Sequence, residues 1–467
     1  MKWDFTDAPI ADAPHRYTGI QITEGKENEL VREGEVTWLR IGVGPWDAIT
    51  LRKFRLVCRT IILEAKKHRI RTIAIELNRL PFTTLASLAL CDLGREIVEN
   101  MEMANFAFTA FKTGPKEDLD TVEEVLVCGD SPQEMRAGFA RGKVVADGVN
   151  SCRALANTPG ADMTPKLLTA AAKKMVKGLK VKVRALGRDA LVKEGMGAVL
   201  GVAKGSAEEP QCIILEYKGS TEQPMVLVGK GVTFDSGGLN IKTEGHMYEM
   251  HMDMSGGAAC IAAVAIAAKL KLKRHVVAII PAVENMSSSN AVRPGDILRT
   301  LSGKTVEVID TDAEGRLILA DALTYAKRYD PSLIVDVATL TGSSIQALGF
   351  HATALLTRDE KLASLLAELG EASGEYVWRM PLWEEYEEGV KGTFADLANL
   401  PEEKGMRKGD VVNAATFLLQ FVKECKAPWA HLDIAPRMTA IPADKLAKGA
   451  AGAPVRLLVR LIETWQG

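Results

Sequence analysis

Residues 309–317 read IDTDAEGRL and lie between a strand-like run, residues 305–309, and a helix-like run that begins at Leu317. In an extended backbone alternate side chains share a face, so Asp310, Asp312 and Glu314 are expected to point the same way. Three like charges on one face repel, and burial raises their pKa values unless a cation lies among them. Hard divalent cations bind such oxygens. The stretch therefore predicts either a metal site or a solvated acidic turn.

A second charged stretch, residues 225–254, places two lysines and two aspartates among glycines and apolar residues. Lysine is ordinarily a surface residue. Lys230, however, lies between two glycines directly after an apolar run, which indicates either an ion-pair partner of nearby carboxylates or a metal ligand. As a ligand its amine must be neutral, and a neighbouring dication can lower its pKa enough to achieve this.

The length and the order of elements predict the architecture. A chain of 467 residues is longer than one hydrophobic core usually supports. Strand-like and helix-like runs alternate along it, which is typical of an α/β fold with a mixed, mostly parallel central sheet. We expect a smaller N-terminal α/β domain over residues 1–133, a long helix and connection over residues 134–163, and a larger C-terminal α/β domain over residues 164–467. The charged residues fall at strand ends of the larger domain, where open sheets place their sites.

Composition narrows the class of protein. Lys and Arg total 58 against 60 Asp and Glu, and this net charge of −2 argues against a generally basic nucleic-acid-binding protein. The first residues, MKWDFTD, contain no apolar run of the kind that marks a signal peptide. The seven cysteines are scattered without a CxxC pair, which fits reduced thiols. We expect a cytoplasmic protein with no membrane partner.

The two charged stretches resemble the signature segments of the leucyl (cytosol) aminopeptidase family, whose members are two-metal exopeptidases. Other segments resemble the family in the same order along the chain, namely residues 157–159, 281–285, 293–296, 335–342 and 431–435. The resemblance covers residues 145–467 and is weak before them. It implies that the larger domain is a metallopeptidase catalytic domain.

The resemblance also implies a role for individual residues. Two side chains match catalytic positions, Lys242 and Arg316. Five match metal-ligand positions, namely Lys230, Asp235, Asp253, Asp312 and Glu314, with Asp235 and Glu314 as bridges between two metal ions. The implied cofactors are two divalent ions, Zn²⁺ or Mn²⁺, and a bicarbonate held by Arg316.

The substrate follows from the same resemblance. Five residues match substrate-binding positions, namely Met250, Thr339, Gly342, Ala435 and Met438. Several are small or soft and apolar, which implies a preference for leucine, methionine and similar first residues. The implied activity is release of N-terminal amino acids from peptides with a free N-terminus, by attack of a hydroxide shared by two metal ions. Lys242 would stabilise the oxyanion. The family further implies a homohexamer.

The sequence departs from the family pattern at Asp310 and also at His251 and Met252, which replace residues more often aromatic or charged just before Asp253. Two other functions stay open. Asp310 stands where the family usually has asparagine, which adds a negative charge beside the site. The first alternative function is a DNA-binding regulator that retains the aminopeptidase fold. The second is another two-metal hydrolase, such as a phosphoesterase. His246 and His251 do not have the spacing of the helical zinc motifs, so no histidine is expected as a ligand or as a base.

Overall fold

The computed structural model describes residues 1–76, 82–114, 121–243 and 245–466, and the elements and sheets given below belong to these ranges. The chain forms two compact units. The first comprises Met1–Asn150 and Ala440–Lys448, and the second comprises Ser151–Thr439 and Gly449–Gly467. The boundary after Asn150 lies inside one continuous helix. The short segment that returns to the first unit has no counterpart in the division expected from the sequence.

The first unit is built on a six-stranded sheet. Its strands are β1 (Lys2–Thr6), β2 (Thr18–Thr23), β3 (Glu29–Glu33), β4 (Val36–Gly42), β5 (Thr72–Glu76) and β6 (Glu124–Cys128). They lie in the order β1-β6-β5-β2-β4-β3, and every neighbouring pair is parallel except β3 and β4. The apolar run at residues 72–77 predicts a strand. It forms β5 as far as Glu76, and Leu77 lies outside the described residues.

Two helices complete the first unit, α1 (Leu51–Lys67) and α2 (Leu90–Asn105). The sequence predicts α1 within one residue, because apolar residues recur along it at helical spacing and Thr50 caps its first turn. It places the start of α2 six residues too early, at Thr84. The reason is local, since Thr83–Leu85 forms a separate 3-10 turn before the helix begins.

The second unit contains the remaining elements. Its strands are β7 (Val181–Leu186), β8 (Gln211–Lys218), β9 (Met225–Gly229), β10 (Gly231–Asp235), β11 (His275–Asn285), β12 (Ile297–Arg299), β13 (Thr305–Glu307), β14 (Leu333–Ala338), β15 (Thr353–Leu356), β16 (Val377–Arg379), β17 (Leu397–Ala398) and β18 (Trp429–Asp433). Its helices, with α3 shared between the units, are α3 (Gln133–Asn157), α4 (Pro165–Met175), α5 (Arg188–Glu194), α6 (Gly197–Val202), α7 (Ser255–Lys269), α8 (Glu314–Ala326), α9 (Gly342–Leu348), α10 (Glu360–Ser373), α11 (Asp410–Leu419) and α12 (Val455–Thr464).

The main sheet of the second unit is mixed and mostly parallel at its centre, as expected. Its order is β16-β15-β18-β14-β9-β11-β8-β7, with β10 paired to the far end of β11. Strands β18, β14, β9, β11 and β10 are all parallel to their neighbours in this group. Strands β8 and β15 pair antiparallel at the flanks. The carboxyl ends of the central strands therefore meet at one edge of the sheet.

The most apolar helix of the chain, α7, packs on this sheet. Every residue of α7 is buried except its last, Lys269, and most are glycine or alanine, which allow a helix to lie close to the strands. Within the described residues, Met250–Lys269 is the one stretch long and apolar enough to cross a membrane, but 89% of its most apolar window is buried. Packing inside the unit accounts for this hydrophobicity.

A buried carboxylate ties three elements of the second unit together. Asp321, on α8, is fully buried and accepts hydrogen bonds from the backbone N–H groups of Ala198, Val199 and Leu301, at 2.9, 3.0 and 2.7 Å. The first two donors lie at the start of α6, where N–H groups have no partner within the helix. Asp321 thus fixes α8, the helix that begins at Glu314, against α6.

Replacing Asp321 tests this link. Asp321→Ala should lower the free energy of unfolding by about 2 kcal/mol or more, because three N–H groups lose their acceptor in a buried place. Asp396→Ala is the matched control, since Asp396 also accepts from a backbone N–H but is exposed. Denaturant unfolding of both variants measures the difference. Equal losses would show that Asp321 does not hold α6 and α8 together.

Candidate active site

The candidate residues collect at the carboxyl edge of the parallel strands. Lys230 follows β9, Asp235 ends β10, Thr339 follows β14 and Asp433 ends β18. These strands are parallel, so their ends face the same side of the sheet. A cavity of about 440 Å³ opens there. Of the seven residues expected as ligands or catalytic groups, six line this cavity, namely Lys230, Asp235, Lys242, Asp253, Asp312 and Glu314.

Two lysines and four carboxylates alternate inside this cluster. The Nζ atom of Lys230 lies 2.8 Å from Asp253 Oδ2 and 2.8 Å from Glu314 Oε1. It also donates to the carbonyl of Thr339. The Nζ atom of Lys242 lies 2.8 Å from Asp235 Oδ2 and forms a second ion pair with Asp312. Each ammonium therefore lies between two carboxylates, which marks two places where positive charge is favoured.

Local geometry explains how Lys230 reaches Glu314. A Cβ atom on Gly315 would lie 2.6 Å from Cε and 2.8 Å from Nζ of Lys230, closer than such atoms approach in proteins. A larger residue at position 315 would therefore push the end of the lysine side chain away from its present place against the first turn of α8.

The extended geometry expected for residues 310–314 is wrong. Strand β13 already ends at Glu307, residues 310–313 form a turn, and Glu314 is the first residue of α8. Asp310, Asp312 and Glu314 nevertheless line the same cavity. They converge because a turn followed by a helix start brings them together, and not because they alternate along a strand.

Burial and mutual repulsion shift the pKa values of the cluster. Burial raises the pKa of Asp253 to about 8 and that of Asp312 to about 7, and it also raises the pKa of Glu314. Neighbouring carboxylates add to each shift and the lysines oppose it. Burial acts to lower the pKa of Lys230 and of Lys242, yet the surrounding carboxylates raise both above the ordinary lysine value. Positive charge therefore stabilises the cluster.

The donor set fits metal ions. Suitable oxygens of Asp235, Asp312 and Glu314 all lie within 4.8 Å of one another. Asp253 Oδ2 and both carboxylate oxygens of Glu314 are buried and have no hydrogen-bond partner in the described part of the chain. Asp253 Oδ2 and Glu314 Oε1 lie at ion-pair distance from Lys230. Buried carboxylate oxygens of this kind are suited to hard or borderline divalent cations.

Arg316, the second residue expected to be catalytic, is held by bonds to the protein. Its side chain is buried, and the described residues that line the cavity do not include it. Nη1 donates to the carbonyl of Asn399 at 2.8 Å, and Nη2 donates to both carboxylate oxygens of Asp410, at 2.9 and 3.0 Å. Nε is buried and has no hydrogen-bond partner among the described residues. Two of its three nitrogens are therefore bonded to the protein.

Two asparagines position the ligands, and the sequence analysis identified neither. Asn285, at the end of β11, donates to Asp235 Oδ1 at 2.8 Å and to the carbonyl of Thr311 at 3.0 Å. Asn399 accepts from the N–H of Ile309 and donates to the carbonyl of Asp310. Asn285 stands in one of the family-like segments, which was a usable signal. Asn399 lies about 90 residues from the turn it binds, and no local pattern marks it.

All five residues expected to bind substrate line the same cavity, namely Met250, Thr339, Gly342, Ala435 and Met438. The hydroxyl of Thr339 donates to Asp253 Oδ1 at 2.6 Å, so this side chain also orients a ligand residue. The N–H of Leu340 donates to Asp433 Oδ1 and is already bonded within the protein. The cavity therefore joins a charged end to a wall that contains soft apolar side chains.

Two histidines, His246 and His251, lie near the site. His246 lines the cavity and lies 3.1 Å from the hydroxyl of Thr243, although the spacing of the histidines gave no reason to expect it there. His251 is half-buried, and burial lowers its pKa. Neither belongs to the acidic cluster of Asp235, Asp312 and Glu314.

Comparison with known proteins identifies the family. Residues 150–459 match the cytosol aminopeptidase family, catalytic domain. A probable cytosol aminopeptidase of Syntrophotalea carbinolica is 41% identical over 405 residues, which cover 85% of this chain and 80% of the relative. One of Roseiflexus castenholzii is 41% identical over 434 residues, covering 91% and 87%.

The fold agrees as well. The solved structure of the bottromycin maturation enzyme BotP in complex with Mn superposes with a TM-score of 0.85 at 29% identity, covering 96% of this chain and 98% of that one. A second structure of BotP gives a TM-score of 0.82 at 30% identity. The carboxylate cluster, the family match and the close relatives lead to one conclusion. The chain belongs to the cytosol aminopeptidase family and is a metal-dependent aminopeptidase that acts on peptides.

Proposed function

We propose that this aminopeptidase uses two divalent metal ions and prefers leucine, methionine and similar residues at the N-terminus of its substrate. One observation carries the proposal. Four carboxylates and two lysines meet at one end of a cavity whose wall carries Met250, Ala435 and Met438. The charged end suits the reacting groups, and the soft apolar wall suits an aliphatic side chain.

The four carboxylates and Lys230 would hold the metal ions. We assign Asp235 and Glu314 as bridges, Lys230 and Asp253 to one ion, and Asp312 to the other. Zn²⁺ and Mn²⁺ both suit this oxygen-rich set with one nitrogen. Two such ions supply polarisation of the scissile carbonyl and a strongly nucleophilic water at neutral pH. Lys230 would then lose its proton, because a dication would neutralise the carboxylates in place of the lysine ammonium.

Lys242 would act on the substrate. It lines the cavity, and without metal ions the carboxylates of Asp235, Glu314 and Asp312 raise its pKa although burial acts to lower it. Metal ions held by these carboxylates would compete with the Lys242 ammonium for the same oxygens. The ammonium would then be available to the scissile carbonyl. A fixed ammonium there stabilises the oxyanion that develops when the carbonyl is attacked.

The family resemblance implies a bicarbonate associated with Arg316 as the base. A planar carbonate matches the planar donors of a guanidinium. In this chain Nη1 and Nη2 already bind Asn399 and Asp410, and Nε is the nitrogen that has no hydrogen-bond partner among the described residues. Bicarbonate would therefore have to share Arg316 with Asp410 or replace it.

The biological setting is proposed from the family. We expect a cytoplasmic homohexamer that takes peptides with a free N-terminus. Large exposed side chains support a subunit contact, because Trp378, Trp383 and Phe394 are 65%, 63% and 79% exposed. Light scattering of the purified chain tests the assembly. The net charge of −2 and the relatives compared here give no support to a DNA-binding regulator or a phosphoesterase.

The activity itself can be tested by metal removal. The purified protein should release p-nitroaniline from leucine p-nitroanilide, lose this activity after chelation, and regain it with Mn²⁺ or Zn²⁺. N-acetylated leucine p-nitroanilide is the matched control, since it lacks the free amine. Hydrolysis of both substrates at similar rates, or of p-nitrophenyl phosphate in their place, would contradict an aminopeptidase of this kind.

The two lysines should respond differently to substitution. Lys242→Met should keep both metal ions and its substrate affinity but lose about two to three orders of magnitude in kcat, because an oxyanion donor is removed. Lys230→Met should lose metal from one site. Metal content by elemental analysis and kcat are measured for both variants. Full turnover of Lys242→Met, or metal loss equal to that of Lys230→Met, would show that the assigned roles are wrong.

A further inference from the structure

The environment of Arg316 contains an anion supplied by the chain itself. The Arg316 side chain is 3% exposed and that of Asp410 is 26% exposed. Nη2 of Arg316 contacts both oxygens of the Asp410 carboxylate, at 2.9 and 3.0 Å. One guanidinium nitrogen thus donates to both oxygens of a carboxylate, and charge-assisted bonds of this kind are the stronger ones in proteins.

The backbone places Asp410 for this contact. Asp410 is the first residue of α11, and Gly409 before it has a φ of 108°, a left-handed conformation that glycine adopts readily. The first turn of a helix also favours a negative charge, because its N–H groups have no partner within the helix. Both the helix start and Arg316 therefore stabilise a carboxylate at this point.

Asp410 and bicarbonate would compete for the same donors. Each offers a planar pair of oxygens to a guanidinium, and Asp410 is tethered to the protein, which gives it a high effective concentration. We propose that Asp410 is a positioning residue that fills the anion site of Arg316 and makes the enzyme insensitive to bicarbonate. This inference rests on the proposed function, because it concerns the base of that reaction.

The response to bicarbonate tests the inference. Activity on leucine p-nitroanilide is measured with the metal-loaded enzyme in buffer freed of carbon dioxide, with and without added sodium bicarbonate, against sodium chloride of equal ionic strength. The parent should change little. Asp410→Ala opens the site and should lose kcat by about tenfold, with bicarbonate restoring most of it. KM should stay the same, because Arg316 is not among the described residues that line the cavity.

Two further variants separate the charge at Arg316 from helix stability. Asp410→Glu keeps a carboxylate and should stay insensitive to bicarbonate, as the parent does. Asp359→Ala is the matched control, since Asp359 accepts from the N–H of Leu362 at the start of α10. Its loss weakens a helix start but should create no response to bicarbonate. If Asp410→Ala does not fold, Asp410→Ser takes its place, because serine is also small and uncharged but keeps a polar side chain in the first turn of α11.

Three results would overturn the inference. One is activation of the parent by bicarbonate as strong as that of Asp410→Ala. Another is a folded, metal-loaded Asp410→Ala or Asp410→Ser that does not respond to bicarbonate. The third is a response in Asp410→Glu as large as in the alanine variant. Failure of the proposed function looks different, since the parent would then release no p-nitroaniline under any of these conditions.

Discussion

Repulsion among four carboxylates is the constraint on which the second unit depends. Oxygens of Asp235, Asp312 and Glu314 lie within 4.8 Å of one another. At that distance two unit charges repel by about 3.5 kcal/mol at an effective dielectric constant of about 20. Burial first, and then repulsion by the neighbouring carboxylates, raises the pKa values of Asp253, Asp312 and Glu314. Protonation or positive charge placed among these groups makes the arrangement favourable.

Several features of the fold serve to place that charge. Parallel strands bring Lys230 and Asp235 to one edge of the sheet, and Gly315 leaves space for the lysine beside α8. Asn285 and Asn399 hold the ligand segments by hydrogen bonds to a carboxylate and to the backbone. Asp321 then ties α8 to α6. Helices, strand ends and asparagine hydrogen bonds thus support the cluster, as a preorganised site requires.

The sequence predicts what depends on neighbouring residues. The alternation of strands and helices, the family and the set of ligand residues all follow from short segments, and the structure brings all five expected ligands to one cavity. Contacts across long separations could not be predicted in this way. Asn399 and Asp410 bind Arg316 from 83 and 94 residues away, and no periodicity or motif links them to it. The extended geometry expected for Asp310 to Glu314 failed because a turn and a helix start can also bring carboxylates together.

The central claim is that these carboxylates hold two metal ions through shared ligands. A crystal structure of the protein grown with Mn²⁺, with anomalous difference density collected near the manganese edge, tests it most directly. Two peaks roughly 3.5–4 Å apart are expected, both in contact with Asp235 and Glu314, with Lys230 bound to one of them. A single peak, or two peaks that share neither carboxylate, would contradict the account.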